Sequence, residues 1–320
     1  MLTSFVIKRL VRSVTLLFLV VIITFILIHT APGDPTYVLV GEVSDEEFVR
    51  SMRAKFGLDR PLHEQLIIYV SNLIRGDLGY SYHKAQPVAS LILGRIPATL
   101  LLVSTAMILA VSIGIILGVI SSARRGTLDI VISLTSLTGV SMPTFWIGMI
   151  LLLIFAVRLD VFPVGGMIDV RATYQGLAYL WDVGRHLVLP AITLAIFNVA
   201  YITKITRNSM LETLTEDFIT TARSKGLSER TVIIKHALRN ALLPIVTYTG
   251  LTVGMLLSGA ILTETVFSWP GMGSLLYDAL RLRDYLLMMG IFIYSAVMVI
   301  LANAIVDIFY GILDPRIRGR

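Results

Sequence analysis

Long runs of uncharged, apolar residues dominate this sequence and restrict the folds open to it. An α-helix rises about 1.5 Å per residue, so roughly 20 apolar residues cross the hydrocarbon core of a bilayer. Windows of that order occur at residues 13–31, 96–123, 130–157, 187–203, 241–263 and 285–306. The mean hydropathy of +0.82 agrees with such a chain. The sequence therefore predicts an all-α integral membrane protein with six transmembrane helices.

The apolar windows also divide the chain into regions. We predict an N-terminal transmembrane helix (residues 1–31), an extracytoplasmic helical segment (32–95), a five-helix core (96–308) and a cytoplasmic tail (309–320). A polar loop at about 208–240 interrupts the core. The first window follows basic residues, as a signal peptide does, but it lacks a clear small-residue cleavage site after it. We therefore interpret it as a retained helix.

The distribution of Lys and Arg predicts the orientation, because cytoplasmic loops of membrane proteins are enriched in these residues. With both termini inside, the inner segments hold more than half of the 27 basic residues. They are Lys8, Arg9, Arg12, Arg124, Arg125, Lys204, Arg207, Arg223, Lys225, Arg230, Lys235, Arg239, Arg316, Arg318 and Arg320. We predict a multi-pass protein of the cytoplasmic membrane with cytoplasmic termini, in contact with lipid and not with nucleic acid.

Enzyme and metal signatures fail in this chain. It has no cysteine, so thiolate metal sites are excluded. His63 and Glu64 begin like a zinc-protease helix, but Ile67 stands where the second ligand should be. No Gly-x-Ser-x-Gly elbow occurs. A triad assembled only in space stays open, so a membrane hydrolase is one alternative.

The energy source is constrained by two further absences in the sequence. The chain lacks Gly-x-x-x-x-Gly-Lys-Ser/Thr, so any nucleotide that drives it is bound by another subunit. Proton relays place ionisable side chains in mid-membrane, whereas here they lie at span ends, where snorkelling or interface pairing accounts for them. These residues are Asp129, Lys204, Arg207, Glu264 and Asp307. An ion-driven secondary transporter is disfavoured but stays open.

The long outer segment carries signals for helices. Ser44 and Glu47 form a capping box before a helix that Gly57 can end. Pro61 then opens a second amphipathic stretch whose apolar residues are Leu66, Ile67, Val70, Leu73 and Ile74.

Two local features of the spans predict packing and bending. Small residues recur every four positions at Ala110, Gly114 and Gly118, and again at Gly250, Gly254 and Ser258. Such stripes let helices approach closely, either within the chain or against a second subunit. Pro143, after Ser141 and Met142, must bend or break the third span. These three residues are a candidate gate or hinge, although a kink used for packing is an equal alternative.

The polar insert at residues 220–244 predicts two short helices with a corner between them. Thr213 and Glu216 form a capping box, Gly226 can end the first helix in a left-handed conformation, and Ser228 can cap a second helix toward Asn240. Phe218, Ile219, Leu227 and Ile233 are available for burial beside a basic face. The pair either lies on anionic lipid or docks into a groove of a cytoplasmic partner.

The insert resembles the coupling loop of ATP-binding-cassette (ABC) importer permeases of the dipeptide/oligopeptide and nickel transport family. The matching stretches are TARSKGL (residues 221–227) and HALRNALLP (236–244). The resemblance covers essentially the whole chain, with supporting stretches APGDP (31–35), FGLDRPL (56–62), GDLGYS (76–81), PVGG (163–166), ETVFSWPGMG (264–273) and DPRIR (314–318).

The resemblance implies the type I ABC importer permease fold and a transport function without a catalytic or cofactor site in this chain. The implied partners are a second homologous permease, two cytoplasmic ATPase subunits that bind ATP and Mg, and an extracytoplasmic solute-binding protein. Peptides are the expected solute, with oligosaccharides, nickel complexes and glutathione as alternatives. The resemblance assigns contact with the ATPase to Asp217, Thr220, Thr221, Ala222, Arg223, Lys225, Gly226, Leu227, His236 and Arg239.

This chain departs from the family at one position of the loop. Thr220 stands where the general pattern has a glutamate that helps to fix the loop against the ATPase. Asp217, one helical turn earlier, is the candidate replacement.

Overall fold

A computed structural model describes residues 2–30, 59–81, 83–123 and 126–313, with side chains from residue 11 to residue 309 of those ranges. The predicted capping box at Ser44 and Glu47 and the helix end at Gly57 lie outside the described residues. The same holds for Arg124, Arg125 and the tail arginines.

The described residues are mostly helical. The helices are α1 (Leu2–Thr30), α2 (Leu62–Ile74), α3 (Val88–Ala123), α4 (Thr127–Ser141), α5 (Thr144–Arg158), α6 (Leu177–Thr213), α7 (Asp217–Ser224), α8 (Glu229–Leu257), α9 (Ile261–Val266), α10 (Met272–Arg281) and α11 (Tyr285–Leu313). The turns at Leu152–Arg158 and Val232–Ala237 are π-helical. Between α2 and α3, β1 (Tyr80–Ser81) and β2 (Gln86–Pro87) pair antiparallel, with Tyr80 opposite Pro87.

The predicted six spans are confirmed, with changed ends. Helices α1, α3, α6, α8 and α11 are each long and apolar enough to cross a membrane. The pair α4 and α5 meets this criterion only when the two helices are taken together, with a bend of 99° at the break, and it makes the sixth when it is counted as one span. Since α6 has 37 residues, it is about 55 Å long and exceeds the hydrocarbon thickness by about 25 Å. It therefore projects beyond the bilayer.

The break in the third span falls where Pro143 predicted it. Helix α4 ends at Ser141, and Met142 is extended, with φ −86° and ψ 134°. The ring of a proline disfavours helical geometry in the residue before it. Pro143 then precedes the first residue of α5, a place where its missing N–H removes no helical hydrogen bond.

The predicted end of the fifth span at Thr263 is wrong. Helix α8 ends at Leu257, and Thr263 belongs to the separate short helix α9. Gly259 has a φ of +117°, and a Cβ there would lie 2.4 Å from the backbone nitrogen of Gly273. This close approach of two backbone segments requires glycine and ends the helix.

Glu264 does not snorkel, contrary to the interpretation from its position at a span end. Its side chain is fully buried. One carboxylate oxygen accepts from the backbone N–H of Ala260 at 3.0 Å and the other from that of Ser274 at 2.8 Å. The carboxylate thus satisfies backbone donors at the starts of α9 and α10, which otherwise lack partners in a helix's first turn.

Both small-residue stripes are used for packing within the chain. A Cβ on Gly118 would lie 2.5 Å from Cβ of Thr206 and 2.8 Å from the carbonyl oxygen of Thr203, so α3 and α6 are in close contact there. A Cβ on Gly254 would lie 2.7 Å from Cβ of Ala302, on α11. Each stripe therefore packs one helix of this chain against another, as the first of the two alternatives predicts.

We expect Gly118→Ala to lower the melting temperature of the detergent-solubilised protein, because the added methyl group meets a backbone carbonyl that cannot yield easily. Overpacking of this kind typically costs about 1–3 kcal/mol. Gly94→Ala, on the same helix, is the control, since no described atom lies within 4 Å of its added Cβ. Equal melting temperatures for the two variants would show that the α3–α6 contact is not tight.

Candidate functional site

The insert forms a compact unit at one end of the membrane helices, which we call the elbow (residues 214–240). It begins where α6 ends, contains α7, turns at Gly226 and continues as the first turns of α8. The predicted capping box at its start is wrong. Thr213 is still helical and its hydroxyl donates to the carbonyl oxygen of Ser209 at 2.8 Å. Glu216, with φ −72° and ψ 149°, precedes α7 instead.

Gly226 makes the corner as predicted. Its φ of +74° is left-handed, and its N–H donates to the carbonyl oxygen of Arg223 at 2.9 Å. No described atom lies within 4 Å of the position that a Cβ would take. Backbone conformation, and not lack of space, therefore selects glycine here.

Ser228 occupies the position before α8 as predicted, with φ −61° and ψ 143°, but its side chain makes no capping hydrogen bond. Its hydroxyl lies 2.9 Å from the hydroxyl of Thr231. The second helix does not stop at Asn240: it runs through Pro244 to Leu257. Proline is tolerated inside membrane helices because neighbouring groups satisfy the freed carbonyl. The second arm of the elbow is therefore the end of the fifth span itself.

A buried apolar cluster joins the elbow to the membrane helices. Its buried members are Met210, Ile219, Ala222, Val232, Ala237 and Ala241, and the partly buried Val119, Leu214, Ile233 and Leu238 pack against it. These residues lie on α3, α6, α7 and α8, except Leu214, which lies in the turn between α6 and α7. Because Ile219 is fully buried, α7 is seated against the ends of three spans.

The outer surface of the elbow differs in part from the prediction. Of the residues predicted to be available for burial, Ile219 is buried within the chain, whereas Phe218 and Leu227 are 41% and 40% exposed. Both side chains are apolar and open to a partner. The predicted contact residues that are exposed beside them are Asp217, Thr220, Thr221, Arg223, Lys225 and Arg239.

Two predicted contact residues are less exposed than these. Ala222 is buried in the cluster, and His236 is half-buried on the first turns of α8. Ala222 therefore contributes by letting α7 approach the membrane helices closely. A contact with a partner would have to come from the exposed neighbours.

An ion pair that the sequence did not reveal closes the corner. The Nη2 atom of Arg223 lies 2.7 Å from one carboxylate oxygen of Glu229, and its Nε lies 3.2 Å from the other. These hydrogen bonds raise the pKa of Arg223. Arg223 is thus engaged within the elbow, whereas Asp217 is the exposed acid of α7.

The arrangement offers a binding surface. Among the described residues, no group of three His, Cys, Asp or Glu side chains is placed to hold a metal ion. The candidate hinge residues Ser141, Met142 and Pro143 lie at the break in the third span, in a different part of the chain from the elbow.

Comparison with known proteins places the chain among transport proteins. Residues 110–319 match the family described as "Binding-protein-dependent transport system inner membrane component", and residues 1–103 match its N-terminal component. The chain is 43% identical to a di/tripeptide transport system permease protein of Pseudomonas aeruginosa, over 98% of both chains. It is 42% identical to a dipeptide transport system permease protein of Escherichia coli, over 99% of both.

A solved structure shares the fold. An inward-facing structure of the MetNI methionine ABC transporter matches with a TM-score of 0.57 at 16% identity, over 71% of this chain and 97% of that one. At this identity the likeness concerns the fold alone.

We expect Ile219→Ala to loosen α7 from the membrane helices, since truncating a buried isoleucine typically costs about 2–5 kcal/mol. Faster amide hydrogen exchange over residues 217–224 would report this. Phe218→Ala, which trims an exposed neighbour, should leave that exchange unchanged. Equal exchange in both variants would contradict the seating of α7 by the buried cluster.

Proposed function

The chain belongs to the binding-protein-dependent transport system inner membrane component family, and we propose that it is the permease subunit through which an ABC importer takes up di- and oligopeptides. The observation that carries the proposal is the match to peptide permeases along almost the entire chain. The predicted motifs of the insert lie within that match.

The proposed complex contains this chain, a second homologous permease, two cytoplasmic ATPase subunits and an extracytoplasmic solute-binding protein. The two permeases each form half of the translocation pathway. ATP and Mg bind to the ATPase subunits, and this chain performs no hydrolysis of its own. Both of its termini and the elbow lie in the cytoplasm, in agreement with the positive-inside pattern.

The elbow is the proposed contact with an ATPase subunit. Two exposed apolar side chains, Phe218 and Leu227, are open to a groove of the partner, as helix-in-groove recognition requires. Asp217 is exposed on α7, next to Phe218, and takes the role of the glutamate that the general family pattern has at position 220. Arg223 has a different role: it braces the corner through Glu229.

Rigid connections let the elbow move the membrane helices. It is continuous with α8, and it is packed through Ile219 and Met210 against the end of α6. When ATP closes the ATPase dimer, the elbow follows and tilts both spans, so the cavity opens outward. Hydrolysis resets it inward. Such a two-state packing change needs no covalent chemistry in this chain.

The function is tested in proteoliposomes that contain the whole complex, with its solute-binding protein outside and ATP supplied to the ATPase subunits. We expect uptake of a labelled dipeptide that stops when ATP is withdrawn. Unlabelled glutathione, a nickel complex and an oligosaccharide serve as competitors. Uptake driven by a proton gradient without ATP would indicate a secondary transporter. Retention of a competitor in place of the dipeptide by the binding protein would overturn the peptide assignment.

We expect Gly226→Val to abolish both dipeptide uptake and peptide-stimulated ATP hydrolysis while leaving membrane insertion intact. A β-branched residue in the left-handed region costs about 1–2 kcal/mol, and α7 would leave the corner to relieve it. Gly76→Val is the matched control, because Gly76 also has a positive φ, +81°, and open space around it, but lies outside the elbow. Normal uptake by the Gly226→Val complex would contradict the coupling role.

A further inference from the structure

A charged pair joins the third and fourth spans next to the elbow. The Nε atom of Arg207, on α6, lies 2.6 Å from one carboxylate oxygen of Asp129, on α4, and its Nη2 lies 2.7 Å from the other. Only 17% of the Asp129 side chain and 29% of the Arg207 side chain are exposed. This bidentate geometry fixes the orientation of the guanidinium relative to the carboxylate as well as their distance.

A third span contributes to the same carboxylate. The hydroxyl of Ser121, on α3, donates to Asp129 at 2.5 Å. Helix α3 is itself held against α6 by the close contact of Gly118 with Thr206. Asp129 therefore attaches the start of α4 to a pair of helices that are already fixed together.

Helix α4 also packs on α6 near its other end, where a Cβ on Gly139 would lie 3.1 Å from Cβ of Ala200. None of its side chains is fully buried, and five of its apolar residues, Leu128, Ile130, Val131, Leu134 and Leu137, are about half exposed or more. The ion pair adds a directional contact to this packing, since moving α4 by one turn along α6 would separate two partly buried charges.

The pair lies on a continuous line of contacts from the elbow. Ile219 and Ala222 of α7 share a buried cluster with Met210 of α6. Met210 is three residues after Arg207, so the two side chains lie on neighbouring turns of one face of α6. From Arg207 the contact passes to Asp129 and along α4 to the break at Met142 and Pro143.

We propose that Asp129 and Arg207 are positioning residues that make the inner half of the third span move with the elbow. This inference rests on the proposed function, because it gives the route by which ATP-driven movement reaches the broken span. Without the pair, α7 and α6 still follow the ATPase, but α4 no longer moves with them. ATP is then hydrolysed with less transport.

The test measures peptide taken up per ATP hydrolysed by the reconstituted complex. We expect Asp129→Asn and Arg207→Gln each to lower this ratio about fivefold or more, the scale of a typical coupling between sites, while hydrolysis continues. The double variant Asp129→Arg with Arg207→Asp restores the pair and should recover much of the ratio. Lys204→Gln, which removes an exposed positive charge one turn earlier on α6, should match the wild type.

A distance measurement covers the case in which the exchanged pair does not assemble. Because the chain has no cysteine, spin labels can be placed at Leu134→Cys on α4 and Glu212→Cys on α6. We expect one separation, unchanged between the nucleotide-free and ATP-bound complexes, and a changed or broadened separation when Asp129→Asn is added. A separation that changes with ATP in the otherwise unaltered pair would overturn the inference.

The two proposals fail differently. If the wild-type complex takes up dipeptide with ATP and the single variants keep the wild-type ratio, the positioning role is wrong and the function stands. If the wild-type complex shows no ATP-dependent uptake, the proposed function itself is wrong.

Discussion

The burial of Ile219 and Ala222 against Met210 is the contact on which the account depends. It seats a short polar helix on the ends of membrane spans, so that a force on α7 acts on α6 as well as on α8. A helix of eight residues has little stability of its own. Without this burial, α7 would be a loose segment, and its exposed Phe218 would have no fixed direction.

The corner at Gly226 and the continuity of α8 connect α7 to the fifth span. The glycine reverses the chain within a few residues, and Arg223 and Glu229 bridge the two arms across the turn. The bridge is exposed and contributes little stability, but it limits how the arms can open. Because α8 is one helix from Glu229 to Leu257, the second arm needs no joint with the fifth span.

Features set by nearby residues could be predicted from the sequence. Span number follows from hydropathy, the break at Pro143 from proline geometry, and the left-handed corner from Gly226 at the end of a polar helix. Features that depend on contacts between residues far apart in the sequence could not be predicted. Thr213 has the chemistry of a cap but is the last residue of α6, and its hydroxyl donates to the carbonyl oxygen of Ser209 within that helix. Phe218 is as apolar as Ile219, and only the packed cluster decides which of them is buried.

The charged residues show the same limit. Asp129 and Arg207 were both placed at span ends, yet 78 residues separate them in sequence, and the helix packing alone brings them together. The sequence places Glu264 at an end of the fifth span, but the residue lies beyond α8 on the separate helix α9, and its burial depends on a turn that returns Ser274 to it. Such pairings can be seen only in the folded structure, because hydropathy shows where charges lie along the chain but not which residues they contact.

The central claim is that the elbow docks on an ATPase subunit, and thiol labelling tests it most directly. A single cysteine in place of Phe218, in a chain that otherwise has none, reacts with a water-soluble maleimide when position 218 is open to solvent. The membranes are made permeable to the reagent beforehand. We expect rapid labelling when the permeases are present without the ATPase subunits, and strong protection when those subunits are bound. Equal labelling in both preparations would contradict it.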